Sequence, residues 1–468
     1  MATDELTTKL RSYLQGLSGD ARALIVRSIE QSKARGEMSQ VHDLILSAMR
    51  GVMRNTGDVF PRVRTAERAF FEPLTPIIID EHMPDKERGR IERRSLRPIW
   101  TWLTRDLAQG RFDDTLADAR ATAAIDDEKA LCSCGRKLRK TFLPAAREAI
   151  EETEARYGGL HRLAGQLGTP RVVEDLHDML DIFEHEDVFA EFRRRLPAKV
   201  PPGRDGFQSI NLAFGAFEGT PLEVQILAYG YLIPRLGAPG DLVRYAVEEA
   251  HTDRPSHLRK TRHAPAVSAL LGEITREIEV VTNALERDRN SDTAVNALRR
   301  FHEHVRAMTS ALDNETQDNW FRRLAQLRTR MSDRLAHEIE PIPGILRRAL
   351  KAVAKDGVEI VPDSFAVTEA NVGARLLMAA RHAAESLAIN SLVTDTHKQV
   401  EQLIETLGQR AMDDLEKIGP TNRDARLARA ELAIDLGAIV LGREYGKLMQ
   451  RKRDAALGAA QGSSRRAS

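Results

Sequence analysis

The chain has 468 residues, more than the roughly 250–300 at which single hydrophobic cores stop growing, so two or three units are expected. Hydrophobic residues at 42% and charged residues at 30% exclude a globally disordered chain, and aromatics at only 5% make sheet a poor fit. Lys and Arg total 70 against 69 Asp and Glu, a balance that argues against duplex nucleic acid as a partner.

At the N-terminus Leu6, Leu10, Tyr13, Leu14 and Leu17 recur at three and four, the stripe of an amphipathic helix. Ser18 is placed to cap a second helix, which turns Leu24, Ile25 and Ile29 inward and stops at Gly36. Ser39 then caps a third with Val41, Leu44, Ile45, Ala48, Met49, Val52 and Met53. This start, with Asp4, Glu5, Lys9 and Arg11 among its apolar positions, predicts no signal peptide, and no stretch approaches the roughly 20 apolar residues of a membrane span. The two cysteines, Cys132 and Cys134, stand too close in sequence for a low-strain disulfide, so a reducing cytoplasmic setting is expected.

Between Phe60 and Pro98 the breakers Pro61, Pro73, Pro76 and Pro84 surround Ile77, Ile78 and Ile79, which predicts a kinked connector. Trp100 and Trp102 are two apart and cannot share one helix face, so one should pack inward and the other against a neighbouring unit. A helix follows from Asp126 to Tyr157 and ends at Gly158-Gly159. Pro170 occupies a first helical position after Thr169, with Val172, Val173, Leu176, Met179, Leu180 and Phe183 as the apolar face. Val188, Phe189, Phe192 and Leu196 give another stripe, and Pro197 to Gly206 cannot continue it. Thr220, Pro221 and Glu223 have the spacing of a capping box for a helix ending near Pro234.

Beyond Pro265 the spacing becomes heptad-like: Ile274, Ile278, Val281 and Leu285, then Leu298, Phe301, Val305, Met308 and Leu312, then Trp320, Leu324, Leu327 and Met331. Such steps favour long helices crossing at shallow angles, reversed at Asp288 to Ser291 and at Asp313-Asn314. Val358 to Pro362 is a short strand candidate. A last helix after Gly419-Pro420 carries Leu427, Ile434, Leu441 and Leu448 every seven residues, with Ala430, Ala433, Gly437 and Ala438 allowing close approach of a helix spanning 371 to 415. The expected architecture is therefore all-α: a helical unit over 1–165, a Pro/Gly-punctuated unit over 166–264, a long-helix antiparallel bundle over 265–457 and a disordered basic tail over 458–468.

Few constellations carry chemistry. The Cys132-Ser133-Cys134 spacing is shorter than that of zinc-binding pairs. Glu174 with His177 and Glu248 with His251 have the Glu-x-x-His spacing of di-metal bundles, but Glu174 shares a face with Asp178, Asp181 and His185, which reads as a solvated surface. Arg193 to Arg195 close a helix, where cations oppose its dipole. Arg88, Arg90, Arg93, Arg94 and Arg97 interleave with Asp85, Glu87 and Glu92. With no glycine-rich phosphate loop, GxSxG elbow, HExxH helix or Rossmann fingerprint, no cofactor and no metal are expected. The densest basic cluster is His251, His257, Arg259, Lys260, Arg262 and His263, a candidate anion-binding group. Two classes of function follow: a cytoplasmic helical scaffold that binds other proteins and self-associates through its C-terminal helices, or an enzyme or regulator that takes a phosphate-bearing ligand near 251–263. A third, nucleic-acid contact, requires the basic groups at Arg88 to Arg97, Arg259 to Arg262 and the tail to converge on one surface. A polar pocket lined by several of the six basic candidates would favour the ligand-binding reading.

Overall fold

The computed structural model describes residues 10, 13–14, 16–34, 41–42, 45–46, 48–49, 52, 65–107, 113–125, 128–155, 159–288, 291–315, 317–355, 358–416 and 420–464. Among them the protein is all-helical apart from four two-residue strands, and no helix is long and apolar enough to cross a membrane. The chain forms two compact units: Met1–Ile78 with Arg93–Ala190, and Ile79–Glu92 with Glu191–Ser468.

In the first unit, helix α1 (Gly19–Ala34) is capped by Ser18, whose Oγ accepts from the Ala21 amide at 3.2 Å. Its buried line is Arg22, Val26 and Ile29, whereas Leu24 is 70% exposed and Tyr13 67%. Of the residues expected inward, Ile29 lies in the core and Ile25 packs against it while Leu24 does not, and Arg22 takes a buried place by reaching back to the Leu17 carbonyl at 2.6 Å. Val41 is likewise exposed, while Val26, Ile29, Leu14, Leu46, Met49 and Val52 share a core. Leu6, Gly36, Ser39, Leu44, Met53 and Pro61 lie outside the described residues.

The proline-rich connector is partly ordered as helix: α2 (Ala66–Phe71), capped by Thr65, runs into a 3-10 turn over Glu72–Ile77 and strand β1 (Ile78–Ile79). Helix α3 (Arg93–Thr101) continues as a π turn over Trp102–Leu107. Both Trp100 and Trp102 are buried, Trp100 beside Phe70 and Phe71 at 5.4 and 6.1 Å, so opposite sides of this helix are both covered. Helices α4 (Asp113–Ile125), α6 (Gly159–Leu167) and α7 (Pro170–Glu184) pack on the central α5 (Glu128–Glu154). Phe70 sits among Phe71, Trp100, Phe142 and Phe183 at centroid distances of 5.0 to 5.9 Å. Arg139, only 4% exposed, grips Glu186 through Nε (2.9 Å) and Nη2 (2.7 Å), while Nη1 donates to the Ala69 and Phe70 carbonyls at 2.7 and 3.0 Å. The α7 polar face is solvated only in part: Glu174 is exposed and Asp181 and His185 half-buried, but Asp178 is buried, as is Asp175, which accepts from Ser95 Oγ at 2.6 Å.

The second unit begins with α8 (Glu186–Arg195), which crosses in from the first, followed by α9 (Arg204–Phe214), α10 (Leu222–Leu232), α11 (Asp241–Ala250) and the single turn α12 (Pro255–Leu258). The long helices α13 (Ala264–Asn283), α14 (Ser291–Ala311) and α15 (Asn319–Ile339) form the expected antiparallel bundle, with Ile274, Ile278, Val281, Leu298, Phe301, Val305, Met308, Leu324 and Met331 inside. Because α11 packs on both α13 and α14, the stretch before position 264 and the bundle after it share one core. Residues Ile79–Glu92 also belong to this unit; β2 (Ile91–Glu92) pairs with β1, and Gly89, at φ +77°, lies where a Cβ would stand 2.9 Å from the Leu227 carbonyl oxygen.

The chain continues through α16 (Ile342–Leu350), the β3 (Ala354–Lys355) and β4 (Val358–Glu359) hairpin, α17 (Ser364–His382), α18 (Asn390–Glu416), α19 (Arg423–Val440) and α20 (Arg443–Ser464). Several details depart from the expected pattern. Thr220 makes no side-chain cap; its amide donates to the Phe217 carbonyl and Pro221 becomes the N-cap, since the turn at Gly219 (φ +78°) occupies the capping geometry. The sevenfold Leu427 to Leu448 pattern spans two helices, because Gly442 at φ +98° reverses the chain between α19 and α20. Residues 458–464, expected in a tail, extend α20. The one helix expected over 371–415 is two, α17 and α18, broken by a 3-10 turn at Ala384–Ser386; Ala433 lies against Gly408 of α18, whereas Gly437 makes room for the Tyr445 ring and Ala438 lies against Gly446, both of the following α20.

Candidate ligand-binding site

Helices α9, α10 and α11 and the lead into α13 enclose a cavity of about 520 Å³ within the second unit. Glycine punctuation builds its walls: Gly203 (φ +73°) starts α9, and Gly219 reverses the chain before α10 so that both helices face the same space. The floor is aromatic. Phe214 meets Phe192 and Tyr229 at 5.2 Å each and Phe217 at 6.1 Å.

Polar groups interrupt that floor at few points. Tyr245 donates to Asn211 Oδ1 at 2.9 Å and stands edge-on to the His263 ring at 5.6 Å. The Arg262 Nε–H donates to His263 Nε2 at 3.3 Å, which leaves the imidazole proton on Nδ1. Burial, followed by the Arg262 charge, pushes the His263 pKa down against the opposing pull of Glu249, so the ring is neutral at pH 7. Burial pushes the Tyr229 and Tyr245 phenols up, so both remain protonated donors.

Two donors in the lining are unsatisfied. Tyr229 is 5% exposed, and its hydroxyl has no hydrogen-bond partner among the described residues. Arg262 is exposed, makes no ion pair among the described residues, and spends only Nε on His263. The carboxylates of Glu218 and Glu249, which also line the cavity, have no cation within salt-bridge distance among the described residues. The lining thus presents one guanidinium, two carboxylates, two phenols and a neutral imidazole over an aromatic surface, without a serine, threonine or cysteine nucleophile.

The six basic residues singled out in the sequence separate. Only Arg262 and His263 line the cavity. Arg259 is committed to Asp318 and lies over the Trp320 ring at 5.2 Å. His251 caps α11 in the left-handed region at φ 52° and is exposed, as are His257 and Lys260. The other basic runs are dispersed too: Arg90 pairs with buried Glu273, Arg97 with Glu67, and Arg194 and Arg195 with Glu191. Tyr229, Tyr245, Asn211 and Glu249 escaped the sequence reading. Three of only six tyrosines, Tyr229, Tyr231 and Tyr245, falling in adjacent helices on either side of a proline break was the available signal.

A second polar concentration lies on α13. Glu273 binds Arg90 and Arg276; Arg276 also reaches Glu81 at 3.3 Å, and Glu277 binds Arg300 through two bonds of 2.7 and 2.8 Å. Burial opposes ionisation of both carboxylates: Arg90 and Arg276 still hold Glu273 below its ordinary range, whereas at Glu277 burial prevails and raises the pKa. His304, 2% exposed, has neither ring nitrogen hydrogen-bonded. Its pKa falls to about 4 through burial. The carboxylates and His304 of this assembly are buried while Arg276 and Arg300 are 30 and 43% exposed, and its ion pairs tie helices together. Among the described residues no group of three or more His, Cys, Asp or Glu is disposed to hold a metal, Glu174 pairs with Arg171 at 3.1 Å, and Cys132 is exposed while Cys134 contacts Thr122 at 3.6 Å. The sequence matches no protein-family model, and neither a curated protein nor a solved structure matches it.

Proposed function

We propose that this chain is a binding protein for a small organic ligand, held in the cavity between α9, α10 and α11. The supporting observation is the convergence of two unused donors, the Tyr229 hydroxyl and the Arg262 guanidinium, on one aromatic-walled space. Its size lies within the roughly 300–1,000 Å³ of ordinary ligand pockets, and a phenol whose ring is buried while its hydroxyl faces the cavity without a protein partner is placed to donate to a ligand acceptor. The lining suits recognition better than covalent catalysis, since it lacks a nucleophile paired with a base. Thermal-shift screening of a metabolite library against the full chain tests this reading. It expects saturable stabilisation by at least one compound, weakened in Tyr229→Phe and Arg262→Gln. A library in which every compound leaves both wild type and variants unmoved overturns it.

A second reading, that the chain is a cytoplasmic scaffold contacting other proteins or its own copies, draws on the β3–β4 hairpin. Val353, Val358, Ile360 and Val361 are 42 to 53% exposed there, while Glu359 is clamped by Arg426 at 2.7 Å and Arg429 at 2.5 Å. A rigidly held apolar edge of that kind is suited to association. Light scattering at micromolar concentration checks it: mass above that of one chain, lost in Val358→Asp with Ile360→Asp, supports association, and a strictly monomeric mass refutes self-association.

A further inference from the structure

We infer that the ligand is a small aromatic zwitterion, of the chemical class of a free aromatic amino acid, with its carboxylate toward Arg262 and its ammonium toward Glu249. The inference rests on the binding reading above and narrows it by charge. A phosphate dianion would bring two negative charges toward a lining that holds two carboxylates and a single guanidinium. A neutral aromatic would use the Phe214 and Tyr229 rings but leave Arg262, Glu249 and Glu218 as they are. A molecule with one charge of each sign complements both ends, and a charged group desolvated against an aromatic wall is recognised more strongly than in water.

The placement of the two protein charges agrees with this. Glu249 follows Tyr245 by one turn of α11, and Tyr245 meets the His263 ring that Arg262 holds, so both charges stand at one end of the cavity with no ion pair between them. An amino-acid head group spans that separation by offering its own two charges. The side-chain ring then lies on Phe214 and Tyr229, where an edge or offset contact is favoured, and the ammonium has aromatic faces within reach. The Tyr229 hydroxyl, 5% exposed with its residue and unpartnered, gains an acceptor in the ligand carboxylate. His263, neutral and held by Arg262, adds no charge that would upset the balance.

Calorimetric titration of the full chain with L-phenylalanine, L-tyrosine and L-tryptophan, and with phenethylamine, 3-phenylpropionate and phenyl phosphate, tests the inference. At least one amino acid should bind, and its truncated analogues should bind at least about tenfold more weakly, as expected when a charge-assisted hydrogen bond is lost. Glu249→Gln should weaken the amino acid and phenethylamine but leave 3-phenylpropionate unchanged; Arg262→Gln should weaken the amino acid and 3-phenylpropionate but leave phenethylamine unchanged. If 3-phenylpropionate or phenyl phosphate binds as tightly as every amino acid, or if none of the six binds while the metabolite library yields a ligand sensitive to Tyr229→Phe, the zwitterion inference falls and the binding reading stands. If the library too is silent, both fall. The analogue series on wild-type protein decides the matter even if a variant fails to fold.

Discussion

Arg139 in the first unit and Arg262 in the second are the same residue used in opposite ways. Arg139 is 4% exposed and distributes its donors over a carboxylate and two backbone carbonyls, with the Phe183 ring 5.5 Å from its guanidinium carbon. Arg262 is exposed, spends one N–H on a neutral imidazole and directs the rest of its donors at no protein group among those described. A guanidinium whose donors are all taken is part of the framework, because any change strands the groups it satisfies. One whose donors are free beside an aromatic cavity contributes little to the framework and has capacity left for a ligand. The same contrast separates the paired ion network of α13 from the open lining of α9 to α11, although both lie in the second unit.

The sharpest way to break the comparison is to truncate both arginines. Arg139→Ala strips the Glu186 carboxylate of its two short guanidinium bonds, leaving Arg136 at 3.5 Å, and takes this donor from two carbonyls, so about 3 kcal/mol of stability should be lost, as for a buried pair broken on one side. Arg262→Ala should stay within about 0.5 kcal/mol of wild type, as surface substitutions usually do. Urea denaturation followed by circular dichroism measures both. Comparable losses at the two positions would show that the distinction between saturated and free guanidinium has no energetic content here.

The α13 network sharpens it through pH. The folded-state pKa of His304 lies near 4, below its ordinary value of 6.5, so the unfolded chain takes up this proton first. The contribution is therefore fully present above pH 6.5 and is lost as pH falls toward 4, a change of roughly 3 kcal/mol from the linkage of one group. Glu277 and Glu87, whose pKa values are raised mainly by burial, act with the opposite sign, and Glu273 is held below its ordinary range by Arg90 and Arg276. The difference in stability between wild type and His304→Leu across pH 6.5 to 4.5 isolates the histidine. A difference that does not vary with pH removes the claim that His304 is buried in its neutral form.

The bundle was legible because apolar spacing repeats wherever two long helices face each other: Ile274 to Val281, Leu298 to Leu312 and Trp320 to Met331 all lie buried as that spacing requires. Sequence reading failed where a single residue changed the phase. Gly442 cuts a sevenfold leucine pattern in two, and on α1 Arg22 takes a buried place by reaching for a carbonyl while Leu24 is left exposed. Of the candidate site, Arg262 and His263 were visible as members of a basic run, but the run could not reveal which members point into a cavity. That depended on the reversal at Gly219 and on Tyr229 and Tyr245, which stand far apart from the run in sequence and read as ordinary core aromatics.

Those two tyrosines supply the smallest and most discriminating difference. Tyr245→Phe removes a donor from Asn211 Oδ1 and should cost about 1 kcal/mol, the net value of one hydrogen bond. Tyr229→Phe removes a hydroxyl that has no partner among the described residues, so no bond is lost, and stability should change by less than about 0.5 kcal/mol or rise slightly. The two phenols differ little in burial and in the direction of their pKa, so burial alone predicts equal costs. Unequal costs in the order given identify Tyr229 as the group held in reserve. A loss at Tyr229→Phe as large as at Tyr245→Phe would mean that its hydroxyl already serves the fold, and the strongest ground for a ligand in this cavity would be gone.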